Sequence, residues 1–284
     1  MPELPEVEAV RLELDPYFTG HRINDVDVRR PDLRDPFPRR FRARMLGQTV
    51  EVFTRRAKYL LATLTSEETL VMHLGMSGWL NVSAPADLRR EIDKHDHVVF
   101  TMSSGAVIAF NDPRRFGMMK LVPRAELDQE PLLRALGPEP LGNAFDAAML
   151  ARACKGKKTS LKAALSDQKI VAGLGNIYVC EALHRARLSP KRRASTIATK
   201  SGAPTERAQT LVDAIKAVLK DAIAAGGSSL RDHRRTDGEL GDFQHNFRVY
   251  DREGKPCPTP GCRGTIKRMV QTGRSTFFCP VCQK

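Results

Sequence analysis

Four of the six cysteines of this 284-residue chain fall at its very end, as Cys257-x4-Cys262-x16-Cys279-x2-Cys282. Two close pairs separated by a short span are the spacing that brings four thiolates to one zinc ion on two hairpin knuckles. Pro258, Pro260, Gly261, Gly264 and Pro280 supply the turns such convergence needs. The competing reading is a pair of disulfides in a secreted domain. The leftover Cys154 and Cys180 speak against it, as does the start MPELPEVE, which is acidic, broken by prolines and unlike a signal peptide. Four thiolates close the coordination shell, so the expected zinc is structural and takes no part in chemistry. His245 is a candidate extra ligand and is more simply a loop residue. Cys154, beside lysines, and Cys180, in an apolar helical pattern, read as unreactive thiols.

The charge is as unevenly placed as the cysteines. Lys plus Arg number 46 and Asp plus Glu 33, for a net charge of +13. Residues 1–150 carry 20 basic and 22 acidic side chains, and residues 151–284 carry 26 and 11, so the halves stand at −2 and +15. A +15 excess is a self-repulsion cost unless a polyanion uses it, which points to a phosphate backbone. Only 6% of residues are aromatic, too few for a platform that stacks single strands. No run of eighteen apolar residues exists, which excludes a helical membrane span.

Hydrophobic patterning divides the chain. Val7, Val10 and Leu14 recur at helical spacing, with Pro5 suited to a first turn and Gly20 to the end, so a helix is expected over residues 5–18. Short stretches rich in Val, Leu, Phe and Thr follow at 22–29, 49–55, 59–64, 69–74, 97–102, 107–111 and 118–123. They predict an antiparallel β-sandwich. Residues 138–146 read as a linker. Helices are then expected at 147–154, 161–165, 177–186 and 205–225, the last with a core-facing stripe of Leu211, Ile215, Val218, Leu219 and Ile223 ended by Gly226 and Gly227. The fold class is thus α+β and multidomain: 1–137 a sandwich with flanking helices, 147–243 helical, and 244–284 a four-cysteine zinc-finger β-hairpin.

The first residues carry unusual chemistry. Initiator methionine is commonly removed before a small residue such as Pro2, and removal would expose a secondary amine. An α-amino group titrates near ~8 against ~10.4 for a lysine, so far more of it is unprotonated at neutral pH. Attack on a sugar carbon at the aldehyde oxidation level would give a permanently charged iminium, an electron sink for elimination. Glu3 and Glu6 stand beside it as candidate proton carriers. Taken alone, acidic residues in a first turn do no more than complement the helix dipole.

PELPEVE at the start, RRAKYL at 55–60, HLGMSG at 73–78, KHDHV at 94–98, DPRRFG at 112–117, LGNIY at 174–178 and the terminal cysteines occur in one order. Together they resemble the formamidopyrimidine-DNA glycosylase family, bacterial repair enzymes for oxidised purines, over essentially the whole chain. The resemblance implies a helix–two-turns–helix domain between sandwich and finger, with DNA held between the halves. It implies Pro2 as nucleophile on C1′, Glu3 as the acid that opens the sugar ring, Glu6 as a supporting group and Lys58 as a strand lysine on a phosphate near the lesion. A target sugar inside a duplex must be extruded before an amine can reach it. Met76, Arg114 and Phe116 match the family's wedge that fills the hole, with Arg114 and Phe116 expected to leave a strand on one side. Asn176, Arg274 and His73 match backbone contacts, and Lys157, Lys158 and Lys162 form a further basic cluster. The implied activity is excision of 8-oxoguanine or formamidopyrimidines followed by β,δ-elimination, with one structural zinc, duplex DNA as partner, and a monomer in the cytoplasm of a bacterium, associated with the nucleoid.

Two departures stand out. The first cysteine pair is spaced x4 where many relatives have x2. The stretch 230–243 carries His233, Arg234 and Arg235 where relatives tend to be aromatic or neutral, in what corresponds to a loop over the flipped base. Two rivals remain at this point. One is the sister family for oxidised pyrimidines, which typically has Gly where this chain has Leu4. The other is a non-catalytic zinc-ribbon protein that binds DNA by charge and has no use for PELPE.

Overall fold

The computed structural model describes residues 1–83, 92–228 and 241–284. The chain forms two compact units, Met1–Arg134 with Ala225–Gln244, and Ala135–Ala224 with His245–Lys284.

In the first unit, α1 (Leu4–Phe18) begins in a capping box in which Glu3 and Glu6 satisfy each other's backbone amides. Pro5 sits in the first turn, where its missing N–H costs nothing. Leu4, Val7, Val10, Leu14 and Phe18 bury one stripe completely or nearly so. Two four-stranded antiparallel sheets follow, in the orders β1-β6-β7-β5 and β2-β3-β4-β8. Their strands are β1 (Ile23–Val28), β2 (Val50–Arg56), β3 (Tyr59–Leu64), β4 (Glu68–His73), β5 (Trp79–Ser83), β6 (Asp96–Met102), β7 (Val107–Asn111) and β8 (Met118–Pro123). One apolar cluster joins both inner faces with α1: Val26, Phe100, Ile108 and Phe110 from the first sheet, Phe53, Leu60, Leu70 and Met119 from the second. Phe18 ties the three together, its ring 5.0 Å from that of Phe53 and 6.1 Å from that of Phe100. Each such fully buried side chain contributes about 1.5–3 kcal/mol.

The sandwich expected from the sequence is present. The strand that patterning missed is β5, a five-residue edge strand in which Trp79 and Leu80 stand side by side and Asn81 parts them from Val82. Short helices α2 (Phe41–Met45) and α3 (Pro131–Arg134) were also missed, each too brief for a helical period to show.

The second unit contains α4 (Ala147–Cys154), α5 (Leu161–Leu165), α6 (Asn176–Arg185) and α7 (Glu206–Ala224), then the hairpin β9 (Lys267–Gln271) and β10 (Arg274–Phe278). Asp146 caps α4 by accepting from the Met149 amide at 2.7 Å, and Ser160 caps α5 through Ala163. On α7 the buried stripe is Leu211, Ile215, Val218, Leu219 and Ala222, with Ile223 only half-buried beside it. The hairpin turns on Thr272 and Gly273, both left-handed at φ 48° and 73°, which matches the twist of the paired strands.

Glu181, fully buried on α6, accepts three backbone amides, those of Arg248, Val249 and Tyr250, at 2.8 to 2.9 Å. Burial pushes its pKa up, against the downward pull of those amides. The bonds fasten the approach to the zinc hairpin onto α6. Glu181→Ala would orphan three amides at about 1–3 kcal/mol each, so urea unfolding should show a loss of about 3 kcal/mol or more. Glu181→Gln keeps one accepting oxygen and should lose less.

Candidate functional site

Pro2 is buried, although it adjoins the chain terminus. Glu6 braces the backbone beside it. Its Oε2 accepts the Glu3 amide at 2.8 Å. Its Oε1 accepts both the amide and the hydroxyl of Ser228, at 2.8 and 2.9 Å. Gly227, left-handed at φ 79°, lets this segment approach so closely that a Cβ there would stand 3.2 Å from the Glu6 backbone. Glu3 and Glu6 are 3% and 2% exposed, so two carboxylates lie beside Pro2 in a largely dry setting. Ser228 had no signal in the sequence beyond following Gly226 and Gly227.

Lys58 is also buried. It stands in the two-residue turn between β2 and β3, after Ala57 in the left-handed region at φ 53°, in the gap that patterning leaves between 55 and 59 and not on a strand as the resemblance implied. The pairing of Arg56 with Tyr59 closes the hairpin, and the turn takes the lysine out of the ladder.

His73 ends β4, half-buried, with its ring 4.9 Å from that of Tyr59. Burial, then the charges of Lys58 and Arg34, push its pKa down to about 4. Its Nδ1 accepts the Gly75 amide at 3.0 Å, so the neutral ring carries its proton on Nε2. His73 therefore presents one uncharged N–H donor. It also lines a cavity of about 610 Å³ with Arg34, Tyr59, Phe116 and Glu130.

Met76, Arg114 and Phe116 are all exposed, Met76 by 37% and Phe116 by 47%. Arg114 and Phe116 lie in the loop between β7 and β8, so strand alternation does not align them. Instead the Arg114 guanidinium lies over the Phe116 ring, 5.0 Å from its centroid. Arg115 between them adopts φ 59°. The loop is held by Asp112, which is fully buried. Its Oδ1 accepts the Ser77 hydroxyl at 2.7 Å and its Oδ2 the Gly117 amide at 2.7 Å. Ser77 in turn accepts the Arg114 amide at 3.3 Å, and His97 Nε2 meets the Asp112 carbonyl at 2.9 Å. A Cβ on Gly75 would collide with the Phe116 backbone at 2.3 Å, so the Met76 loop and the Phe116 loop are packed as one body. Asp112 and His97 sat inside the motifs DPRRFG and KHDHV, where their supporting role was not legible.

In the second unit Asn176 opens α6 behind Gly175, and its Nδ2 donates to the Ser275 carbonyl of the hairpin at 2.8 Å. The preceding turn is shaped by Gln168, which accepts from Gly173 and donates to the Leu174 carbonyl. Arg274 is exposed at the start of β10. Lys157 and Lys158 are exposed, but Lys162 is 1% exposed and does not join them as a surface cluster. The helical period of α5 turns it inward with Leu161 and Leu165. Burial pushes the Cys154 thiol up to about 11, which leaves it inert at neutral pH, and Cys180 is buried against the finger.

The four terminal sulfurs all lie within 4.8 Å of one another, with Cys257 and Cys282 at 3.7 Å and Cys262 and Cys279 at 3.6 Å. A tetrahedral zinc at ~2.3 Å from each sulfur requires S–S separations of about 3.8 Å, and a disulfide about 2.0 Å. The set fits one structural zinc and no disulfide. The exposed His245 is not among the ligating group found in the described residues. His233, Arg234 and Arg235, and the divergent stretch as far as residue 240, lie outside the described residues.

The arrangement offers a buried N-terminal segment with two carboxylates, a buried lysine in the β2–β3 turn, a braced pair of exposed loops carrying Met76, Arg114 and Phe116, and a four-cysteine finger. Residues 1–119 match the formamidopyrimidine-DNA glycosylase N-terminal domain, residues 136–234 the H2TH domain of the same enzymes, and residues 254–284 a zinc finger found in FPG and IleRS. The chain is 65% identical to the formamidopyrimidine-DNA glycosylase of Rhodopseudomonas palustris (strain BisA53) and 64% to that of Bradyrhizobium diazoefficiens, covering all of each chain. Among solved structures it is similar to the MutM (Fpg) protein of Thermus thermophilus, at 41% identity and TM-score 0.84 over 99% of this chain and 98% of that one. It is also similar to a Lactococcus lactis FPG mutant in complex with DNA containing Fapy-dG, at 32% identity and TM-score 0.87 over the whole of both chains.

His73 supplies a test. Its folded pKa lies below the ordinary ~6.5, so the unfolded chain takes up the proton first and stability falls as pH drops from about 6.5 towards 4. His73→Asn should flatten the pH dependence of urea stability in that window. The His73 ring proton should titrate by NMR with a midpoint near 4.

Proposed function

The chain belongs to the formamidopyrimidine-DNA glycosylase family, and from that premise we propose how its own residues carry out the reaction. The protein is a DNA repair enzyme, a glycosylase with abasic-site lyase activity, that excises oxidised purines from duplex DNA. The four cysteines hold one zinc that fastens the finger and leaves no open position for catalysis.

With Met1 removed, the Pro2 nitrogen attacks C1′ of the extruded nucleotide and the N-glycosidic bond breaks, the base leaving with its electron pair and then a proton. Glu3 delivers a proton to O4′ as the ring opens, which converts the adduct to an iminium. Loss of a C2′ proton then expels the 3′ phosphate, and a second elimination expels the 5′ phosphate. The one-nucleotide gap keeps phosphate ends. Glu6 has both oxygens engaged by Glu3 and Ser228 and acts as a brace. Lys58, buried in its turn, supplies positive charge near the phosphate of the lesion. Met76, Arg114 and Phe116 fill the vacated stack, with Arg114 facing the orphaned cytosine. Asn176, Arg274 and the neutral N–H of His73 bind phosphates. No helix among the described residues is long and apolar enough to cross a membrane. The relatives are bacterial, which supports work on the nucleoid in the cytoplasm, and we propose that the protein acts as a monomer.

The observation that carries this reading is the burial and double bracing of the N-terminal segment. Reaction on a duplex containing 8-oxoguanine opposite cytosine, in the presence of borohydride, should trap a covalent adduct that peptide mapping places on Pro2. Protein that retains Met1 or is acetylated at Pro2 should trap none. An undiminished adduct with the blocked terminus would sink the assignment of the nucleophile. Pro2→Gly is a weaker control because a primary amine remains.

A further inference from the structure

His184 lies on α6, one turn beyond Glu181, and is 1% exposed. Its Nε2 stands 3.4 Å from Cys257 Sγ, 3.3 Å from Thr259 Oγ1 and 4.0 Å from Cys282 Sγ. Four thiolates around a zinc ion leave the group with a net charge of about −2. Buried sulfur charge is costly unless donors face it. Cys262 has the Gly264 amide at 3.4 Å. At Cys257 and Cys282 the donors that side chains bring are the His184 ring and the Thr259 hydroxyl, the latter 3.8 Å from Cys282 Sγ. A ring nitrogen facing a thiolate attracts it only as N–H, since a lone pair there would repel.

We propose that His184 is a positioning residue of the zinc centre, its Nε2–H donating to the Cys257 thiolate and so tying the metal to the helix that begins at Asn176. The four sulfurs already complete the coordination shell, so His184 acts on a ligand and is not one itself. The arrangement gives α6 three successive attachments to the finger segment: Asn176 to Ser275, Glu181 to residues 248–250, and His184 to Cys257. The inference rests on the structural zinc and is independent of the nucleophile at Pro2.

The full-length protein loaded with 113Cd in place of zinc tests this without mutation. NMR should show the His184 ring protonated on Nε2, with a 1H–113Cd coupling carried across the hydrogen bond. A ring protonated on Nδ1 overturns the proposal, and so does a one-bond 15N–113Cd coupling, which would make His184 a ligand. Zinc transfer from the protein to a chromogenic chelator gives a second readout. His184→Phe keeps a flat ring but no donor, and should lose zinc affinity by about 10-fold or more. His184→Gln restores an N–H and should recover most of that loss. Equal zinc retention in His184→Phe and wild type, or equal impairment of both variants, overturns the proposal. If a variant fails to fold, the cadmium spectrum of the wild type decides.

Discussion

One carboxylate holds the front of this molecule in place. Chain ends fray, because few contacts tie them down and order costs entropy. Glu6 reverses this by accepting from Glu3 on one oxygen and from Ser228 twice on the other. A buried carboxylate without partners would be strongly destabilising, but charge-assisted bonds to three donors offset its desolvation. The bond to Glu3 is local and belongs to a helix cap. The bonds to Ser228 join residues 222 positions apart in the chain. The same acid thus starts α1, pins the Pro2 segment and fixes the entry to the stretch after α7. The nucleophile proposed at Pro2 needs placement to a fraction of an ångström, and an ordinary capping interaction with a second use braces the residues beside it.

The second unit solves the same problem with a different device. A four-cysteine hairpin is too small to bury a core of its own, so metal ligation supplies its folding energy. Its small cluster, with Val249, Ile266 and Phe277, borrows Cys180 from α6. Glu181 on that helix fastens the segment leading into the finger. Exposed basic residues such as Arg274 can then present charge from a fixed frame. A frame fixed in this way limits the entropy lost if Arg274 binds a phosphate as proposed.

The sequence was most legible where chemistry fixes spacing. The terminal cysteines declared a zinc site, and α1, α4, α5 and α7 followed from helical period and caps. The strands came through apart from β5, and the interior strand β6 did so although it is buried on nearly every residue and shows no alternation. What escaped notice was support. Asp112, Ser77, Glu181, His184 and Ser228 are polar residues that each bond a partner 35 to 222 positions away. No local pattern marks such a bond. Lys162 failed differently, because a short helix turned it inward.

The wedge shows why support matters as much as the residues it carries. Met76 and Phe116 expose apolar surface to water in the free protein, a cost that folding does not recover. Unstacking a base pair costs a few kcal/mol, and insertion of apolar side chains between the steps is how that cost is met. On the proposed reading the exposed surface is binding free energy held until a duplex is present. It is useful only if the loops are ordered beforehand, because a mobile Phe116 would lose in entropy what it gains in contact. Asp112 supplies that order through Ser77 and Gly117, and the absence of a side chain at Gly75 lets the two loops touch. Arg114 resting on Phe116 places the cation beside the ring before any DNA arrives. The polar groups beneath the wedge make its apolar tip effective.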